Sequence, residues 1–258
     1  LFPNERDRRA LMCWFARNVQ SPGVKANWAP IVQGVEGNGK SFLGRVLAYC
    51  VGPRYVVRPN AARLTGQFNG WVYGSLLAIV EEIHTKADAD ILDQLKPLIT
   101  GGEGVAVELK GVDQITREIC VNFLFLTNHK NALKKTRNDR RFANFFCAQQ
   151  SVEDLERDGL TEAFFDRLHA WFDNGGAEAL AHYFRTYEID PEFDFAGVCQ
   201  RAPITSSTAE AIEQSLGAAE QAVVEAIDEG ITPGLMGGWV SSMALDKLLD
   251  RTGKSRSV

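Results

Sequence analysis

The segment of this sequence best suited to chemistry is a glycine-rich loop. Residues 34–41 read Gly-Val-Glu-Gly-Asn-Gly-Lys-Ser and fit the pattern G-x-x-x-x-G-K-[ST]. Glycines let such a loop curve around phosphate groups with its N–H groups pointing inward, and a following helix adds its positive N-terminal end. The pattern therefore predicts a nucleotide site. Its predicted contact residues are Gly34, Val35, Glu36, Gly37, Asn38, Gly39, Lys40, Ser41 and Phe42.

Two side chains at the end of this loop have defined roles in such a site. Lys40 would reach the β- and γ-phosphates, and the Ser41 hydroxyl would ligate Mg²⁺. A flexible glycine loop before an ordinary helix is the simpler alternative. The loop lies between a predicted strand and a predicted helix, however, and this context is the one that supports the pattern. We therefore expect ATP and Mg²⁺ as ligands.

A pair of carboxylates forms the second candidate element. Glu81 and Glu82 directly follow the apolar run Leu76–Val80. Carboxylates at the C-terminal end of a parallel strand point into the crevice where nucleotides bind. We expect Glu81 to support the metal ion and Glu82 to orient and deprotonate the attacking water. The alternative is an exposed turn, which is the commonest location of two adjacent glutamates.

An amide ends a third candidate element. Asn128 follows the apolar run Val121–Leu126 and Thr127. At a strand end beside the carboxylates, this amide could hydrogen-bond both the γ-phosphate and the attacking water. Taken alone, an asparagine that caps the next turn is the better interpretation. Its order after the loop and the carboxylates favours the catalytic role.

These residues require a sheet that brings their strands side by side. Apolar runs of strand length alternate with helical patterns, which predicts βαβ units and an α/β fold with a parallel sheet flanked by helices. A β-hairpin is predicted where residues 105–110 and 115–119 flank a Gly-Val-Asp turn. The predicted strands are Ala29–Gln33, Tyr55–Arg58, Ser75–Val80 and Val121–Thr127, and the predicted helices of this part are 5–19, 40–50 and 87–99.

The organisation of the chain follows its charge and composition. The net charge is −5, but residues 1–150 carry +7 and residues 151–230 carry −14, so any polyanion is expected to bind the first part. We predict an N-terminal helical segment (1–27), a phosphate-loop core (28–150) and a mainly helical C-terminal region (151–258), whose end is compatible with a winged helix.

Other classes of protein are disfavoured by the same composition. Five scattered cysteines without a C-x-x-C pair argue against a zinc site or disulfide scaffold and for a reducing cytoplasm. No apolar run approaches the roughly 20 residues that span a bilayer. The chain begins with leucine and reads as part of a longer polypeptide.

The loop, the carboxylate strand and the asparagine strand, in this order and spacing, resemble the superfamily 3 helicases, which are AAA+-like ring motors of viruses, phages and plasmids. The resemblance covers about residues 10–150 and is nearest to the helicase part of phage primase–helicase or primase–polymerase proteins. It implies a P-loop NTPase fold, a hexameric ring and single-stranded DNA as partner. An N-terminal primase or polymerase region of the same polypeptide would be a further partner.

The resemblance also assigns roles outside the nucleotide loop. In the family, a β-hairpin between the carboxylate and asparagine strands lines a central channel, and Lys110 falls at its basic tip; Arg117 is a second candidate DNA contact. An arginine after the asparagine strand reaches the nucleotide of the neighbouring subunit. Arg141 is favoured for this role, with Arg140 as the other candidate.

The resulting hypothesis is an ATP-dependent single-stranded DNA translocase of phage or plasmid DNA replication, located in the cytoplasm of a bacterial host. A P-loop kinase of a small metabolite remains an alternative, although the predicted hairpin argues against it. An ATP-dependent initiator or assembly module that binds duplex DNA without unwinding it remains a second alternative.

Overall fold

The structure of the 258-residue chain is a computed structural model. The structure describes residues 1–64, 66, 68–82, 89–101, 104–108, 115–133, 135–216, 218–230, 232–235 and 239–251. The chain divides into two compact units, Leu1–Ala211 and Ile212–Val258. This division differs from the predicted boundaries at residues 27 and 150, because the first helix and the helices after the sheet share a core with it.

Seven strands lie in the described part of the larger unit. They are β1 (Ala29–Gln33), β2 (Val56–Val57), β3 (Leu77–Glu81), β4 (Val105–Val107), β5 (Ile115–Arg117), β6 (Asn122–Thr127) and β7 (Phe142–Phe146). β4 and β5 pair in an antiparallel manner, as the hairpin prediction requires. The predicted turn of that hairpin, with Lys110, falls outside the described residues.

The other five strands form one parallel sheet in the order β2-β3-β6-β1-β7. Because the strands are parallel, their carboxyl ends meet at one edge and their amino ends at the other. We call these the carboxyl edge, where β1, β3 and β6 end at Gln33, Glu81 and Thr127, and the amino edge, where β1 begins at Ala29 and β7 at Phe142. The predicted α/β fold is confirmed.

Helices cover both faces of this sheet. The helices of the described chain are α1 (Glu5–Gln20), α2 (Lys40–Val51), α3 (Ala61–Leu64), α4 (Ala89–Thr100), α5 (Val152–Arg157), α6 (Glu162–Trp171), α7 (Ala177–Thr186) and α8 (Thr208–Glu213), and, in the smaller unit, α9 (Ala218–Glu229) and α10 (Ser242–Arg251). Alternate strand residues point to opposite faces. Val32 and Ile79 pack in the core with α1, α2 and α7, while Ile31 and Val80 pack in the core with α4. Burial on both faces explains the continuous apolar runs of these strands.

β7 was not predicted from the sequence. It pairs with β1 along its whole length, from Ala29↔Phe142 to Gln33↔Phe146. Its outer edge is covered by side chains rather than by a sixth strand: the Thr205 hydroxyl donates to the carbonyl oxygen of Asn144, and the N–H of Phe146 donates to the Ser207 hydroxyl. These contacts close an edge that would otherwise expose unpaired backbone groups.

Two features describe the helical C-terminal part. Residues 208–229 form two helices, α8 and α9, rather than one continuous helix. Trp171 of α6 is 47% exposed, and none of the α6 residues is buried. The smaller unit contains α9 and α10 in its described part. No helix in the described part of the chain has the length and apolar character of a membrane span.

Candidate functional site

The glycine-rich loop connects the end of β1 to the start of α2 at the carboxyl edge. Gly37 and Gly39 have φ angles of 82° and 87°, a conformation that side chains with a Cβ rarely adopt. A Cβ atom on Gly34 would lie 2.1 Å from Nδ2 of Asn38. A Cβ on Gly39 would lie 2.7 Å from a ring carbon of Phe165. The loop is thus a cradle that only glycine can form at these positions, as a phosphate-wrapping loop requires.

The loop is attached to the ends of the neighbouring strands. The N–H of Gly34 donates to the carbonyl oxygen of Thr127 at 3.2 Å, and the N–H of Val35 donates to that of Gln149 at 3.1 Å. Gln33, the last residue of β1, donates through Nε2 to the carbonyl oxygen of Asn128 at 3.2 Å. The first residues of the loop are therefore held in register with the strand that carries Asn128.

Lys40 closes the loop on itself. Its Nζ donates to the carbonyl oxygen of Val35 at 3.1 Å, and its N–H donates to Oδ1 of Asn38 at 3.2 Å. Burial lowers the pKa of Lys40, while the nearby Cys147, Glu36 and Glu82 oppose the shift. A partly desolvated ammonium group beside the glycine loop favours an anionic ligand, because a nearby negative charge stabilises the charged form of the lysine.

Helices from the segment after the sheet lie over the loop. Leu155 of α5 is 3.7 Å from the Cβ position of Gly37, and Phe165 of α6 packs against Gly39. At the other end of α6, the Phe172 ring that follows it packs edge-on against Phe42. Phe42, predicted as a contact residue of the loop, therefore packs against the segment that follows α6.

The carboxylate pair lies beside this loop, at the end of β3. Glu81 pairs in register with Leu126 of β6, and the N–H of Glu82 donates to the carbonyl oxygen of Leu126 at 3.0 Å. Glu82 has a φ angle of 56° and is the only non-glycine residue with positive φ in the described part of the chain. This conformation, which strains a residue with a Cβ, turns the chain out of the strand at the second carboxylate. Both glutamates are exposed.

Arg58 is a member of this edge that the sequence reasoning missed. It follows β2, which pairs with β3, and its guanidinium forms an ion pair with the Glu81 carboxylate. Both side chains are partly exposed, so the pair contributes little to stability. The signal for Arg58 was its position after a predicted strand. The sequence does not show, however, that β2 pairs with β3 and so places Arg58 beside Glu81.

Asn128 lies at the end of β6, between the loop and the carboxylates in the order of the strands. Its side-chain oxygen is buried and has no hydrogen-bond partner among the described residues. An unsatisfied buried acceptor costs stability, and such atoms in native structures often have a functional reason. Three adjacent strands, β1, β3 and β6, are thus followed by the glycine loop that leads to Lys40, by Glu82 and by Asn128, respectively.

The arginine pair lies at the opposite edge. Arg140 and Arg141 directly precede β7, and the carbonyl oxygen of Arg141 accepts from the N–H of Ala29 at 2.8 Å. Gly34 is five residues further along β1, so the two backbones are about 16 Å apart at the usual strand rise. That distance exceeds the reach of an arginine side chain. The structure separates these arginines from the loop of their own chain.

An exposed aromatic residue lies close to the hairpin. Phe68 is 50% exposed, and the next residue, Asn69, donates to the carbonyl oxygen of Ala106 and accepts from the N–H of Glu108, both at 2.8 Å. Asn69 thus ties the Phe68 segment to β4. Arg117, the predicted DNA contact on β5, is also exposed. The sequence reasoning missed Phe68 because nothing local indicates that its segment joins the hairpin.

Comparisons with known proteins give a partial family match and a set of similar solved structures. A family model described as "Family of unknown function (DUF5906)" matches residues 32–141, from the end of β1 to the residue before β7. The comparison with curated proteins gives no match.

Three apo structures of the C-terminal region of NrS-1 are similar to this chain. The A form has 19% sequence identity and a TM-score of 0.68, and the similarity covers 96% of this chain and 58% of that one. A structure of residues 305–718 has 18% identity and a TM-score of 0.67, covering 90% and 55% of the two chains. An A-form structure of the same residues has 17% identity and a TM-score of 0.66, covering 99% and 64%. The chain spans about three fifths of the length of these relatives, and at this identity the similarity shows the fold.

Proposed function

We propose that this chain is the ATP-hydrolysing motor part of a phage or plasmid replication protein, and that it moves along single-stranded DNA as a ring of identical subunits. The observation that carries the proposal is the separation of two sets of residues on one sheet. The cradle, the carboxylates and Asn128 lie at the carboxyl edge, while Arg140 and Arg141 lie at the amino edge. A site that needs both sets is completed only by a second copy of the chain.

In this proposal the carboxyl edge binds and hydrolyses ATP. The N–H groups of the glycine loop and Lys40 hold the β- and γ-phosphates. Glu82 accepts the proton of the attacking water, and the free side-chain oxygen of Asn128 orients that water. Ser41 and Glu81 would hold Mg²⁺, which when bound neutralises charge on the phosphate oxygens. The cradle formed by Gly34 and Gly39 fits such a phosphate group.

Arginine supplied by the next subunit would complete this site. Positive charge aimed at the transferring phosphoryl group stabilises the charge that spreads over its oxygens in the transition state. The exposed Arg140 and the partly buried Arg141 are the candidates. The Nε of Arg141 is buried without a hydrogen-bond partner among the described residues, so its guanidinium is not committed to a contact within the subunit through that atom.

The hairpin β4–β5 supplies the proposed DNA contact. Arg117 and Lys110 would bind phosphates of the backbone, and Phe68 beside the hairpin would stack on a base. The basic charge of the first 150 residues supports a polyanionic partner, in contrast to the acidic residues 151–230.

The experiment that tests the proposal measures ATPase activity with and without single-stranded DNA, together with size-exclusion chromatography with and without ATP. We expect Mg²⁺-dependent hydrolysis that DNA stimulates and an oligomer that ATP stabilises. Phosphate transfer to a small metabolite without DNA stimulation would indicate a kinase instead. Nucleotide-dependent oligomers that bind duplex DNA but never displace a strand would indicate an initiator module.

A further inference from the structure

The loop that carries the arginine pair is held by a buried lysine. Lys135 is 6% exposed, and its Nζ donates to the carbonyl oxygens of Asp139 at 2.9 Å and Phe142 at 2.5 Å. These two carbonyl groups lie immediately before and immediately after the pair. One ammonium group therefore fixes the distance between the two ends of the short segment that contains Arg140 and Arg141.

Three backbone groups of this segment also form hydrogen bonds. The N–H of Arg141 donates to Oδ1 of Asp139 at 2.6 Å. The carbonyl oxygen of Arg140 accepts from the N–H of Ala202, and that of Arg141 accepts from the N–H of Ala29, each at 2.8 Å. The segment is thus tied to β1 on one side and to the chain around residue 202 on the other. Its backbone is rigid, while the guanidinium of Arg140 stays exposed.

Burial of the Lys135 ammonium group costs free energy of folding, so its hydrogen bonds are an expensive way to stabilise a loop. Burial lowers the pKa of Lys135, with Asp139 opposing the shift, because a charged ammonium loses its hydration there. An apolar side chain of similar length would fill the same volume without that penalty. What an apolar side chain cannot do is hold two carbonyl oxygens at fixed positions on both sides of the arginines.

We propose that Lys135 is a positioning residue, which holds the Arg140–Arg141 segment in the orientation that reaches the nucleotide bound by the adjoining subunit. This inference rests on the proposed function, since it assigns how one of its parts is oriented. Lys135 touches neither nucleotide nor DNA and acts through the arginines. It extends the site to a residue for which the sequence analysis predicted no role.

The test uses Lys135→Met in the full chain, because methionine keeps the length and apolar stem but donates no hydrogen bond. We expect unchanged ATP affinity and at least a tenfold lower kcat, since misplacement of a charged group by about 1 Å costs about two orders of magnitude in rate. The matched control is Lys25→Met. Lys25 is another lysine of the amino edge whose Nζ donates to a backbone carbonyl, that of Val121, but it holds no arginine. The control should keep kcat.

Mixed rings separate positioning from general loss of structure. Lys135→Met subunits mixed with Lys40→Ala subunits should regain ATPase activity, because some interfaces then join an intact arginine segment to an intact loop. Mixed with Arg141→Ala subunits, they should regain none, because each subunit then donates a defective segment. If Lys135→Met does not fold, Asp139→Ala supplies the second variant, since it removes the acceptor of the Arg141 N–H and should lower kcat in the same pattern.

Four results decide whether Lys135 positions the arginine segment. A kcat of Lys135→Met within twofold of Lys25→Met would overturn the positioning role, as would recovery of activity in the mixture with Arg141→Ala. Absence of ATPase activity in the wild-type protein would overturn the proposed function and this inference together. Normal wild-type activity with complementation between Arg141→Ala and Lys40→Ala, but an unaffected Lys135→Met, would overturn this inference alone.

Discussion

The two edges of the central sheet hold their polar groups in opposite ways. At the amino edge, polar side chains are satisfied by the protein: the amide of Asn122 donates to Asn18 and to the carbonyl oxygen of Val24, and Lys25 donates to that of Val121. At the carboxyl edge, Glu82 is exposed and the side-chain oxygen of Asn128 has no partner among the described residues.

The hydrogen-bonded polar side chains of the amino edge stabilise the fold, whereas the side chains of the carboxyl edge that lack a protein partner are available to a ligand. A buried polar group that is hydrogen-bonded stabilises the structure, whereas one left unsatisfied costs about 1–3 kcal/mol. At the carboxyl edge, the unsatisfied side-chain oxygen of Asn128 carries this cost, and the strained backbone of Glu82 adds to it. The amino edge shows such an atom at Nε of Arg141. This unsatisfied atom of the amino edge therefore belongs to a residue for which we propose a role in the site of another subunit.

The largest expected effect comes from the ammonium group at the carboxyl edge. Lys40→Ala should abolish ATP binding, because the loop loses the only lysine that reaches its centre in the described structure. Isothermal titration with ATP and Mg²⁺ measures the loss. Lys247→Ala, which changes an exposed lysine of α10, is the control and should bind as wild type does. Unchanged affinity in Lys40→Ala would contradict the assignment of the loop.

Arg141→Ala tests whether the amino edge contributes to chemistry at all. We expect normal ATP binding but a rate of hydrolysis lower by about 10³–10⁵, the range known for arginines that act from a second protein or segment. Arg137→Ala, an exposed arginine of the same loop, is the control and should retain activity.

Mixing Arg141→Ala with Lys40→Ala subunits sharpens this test. An interface between an intact arginine and an intact loop can then form, so activity that neither variant has alone should return. Co-assembly without recovery would show that Arg141 acts within its own subunit or has no catalytic role. Arg140→Ala should then be measured in the same mixture, since Arg140 is the more exposed of the pair.

The two carboxylates of the carboxyl edge should differ in their effects. Glu82→Gln should bind ATP and hydrolyse it about 10²–10⁴ times more slowly, because an amide does not accept the proton of the attacking water. Glu81→Gln should instead weaken Mg²⁺-dependent binding. Single-turnover hydrolysis and nucleotide binding, measured for both variants, distinguish the two roles. The reverse pattern would exchange the assignments of Glu81 and Glu82.

A third surface should be separable from both edges. Phe68→Ala should weaken binding of single-stranded DNA by a factor of about 5–150, which corresponds to the 1–3 kcal/mol of one base stacked on an aromatic ring. ATP hydrolysis without DNA should not change. Fluorescence anisotropy with a labelled oligonucleotide provides the measurement, and Tyr183→Ala, an exposed aromatic residue of α7, is the control. Equal DNA affinity in the two variants would remove Phe68 from the DNA surface.

The carboxyl edge could be predicted from the sequence because its signals are local. The spacing from Gly34 to Ser41 is a pattern in itself, and an apolar run that ends in Glu81 indicates a buried strand with a polar end. β7 was missed because Asn144 interrupts its short apolar run and no helix or turn signal separates it from the arginines. The short aromatic segment of β7 forms a strand because it is buried between β1 and the side chains that cover its outer edge.

Contacts between distant segments explain the other omissions. Arg58 meets Glu81 only because β2 pairs with β3, and no feature of either segment encodes that pairing. Lys135 stands in a run of basic residues that is typical of a solvated loop. Its burial depends on the return of the chain through Asp139 to β7, which places two carbonyl oxygens around its ammonium group.

The smallest effect on activity is expected for Lys25, which belongs to the fold alone. Burial lowers the pKa of Lys25 from 10.5 to about 7, while the nearby Cys120 opposes the shift. At a pH between these two pKa values, Lys25 binds a proton in the unfolded chain but not in the folded chain. Raising the pH therefore stabilises the folded wild type, by at most about 1.4 kcal/mol per pH unit. Lys25→Met lacks this group and this contribution.

The free energy of unfolding of wild type, minus that of Lys25→Met, should accordingly rise from pH 7 to pH 9.5, as measured by urea denaturation. Lys40 and Lys135, whose pKa values are also lowered by burial, are present in both proteins and cancel in the difference. ATPase activity per folded molecule should be equal in the two proteins at each pH. A difference that stays constant with pH would mean that Lys25 is hydrated in the folded state. If Lys25→Met also lost activity, the contrast between the two edges would be wrong, because a side chain that is hydrogen-bonded within the fold would then also contribute to the site.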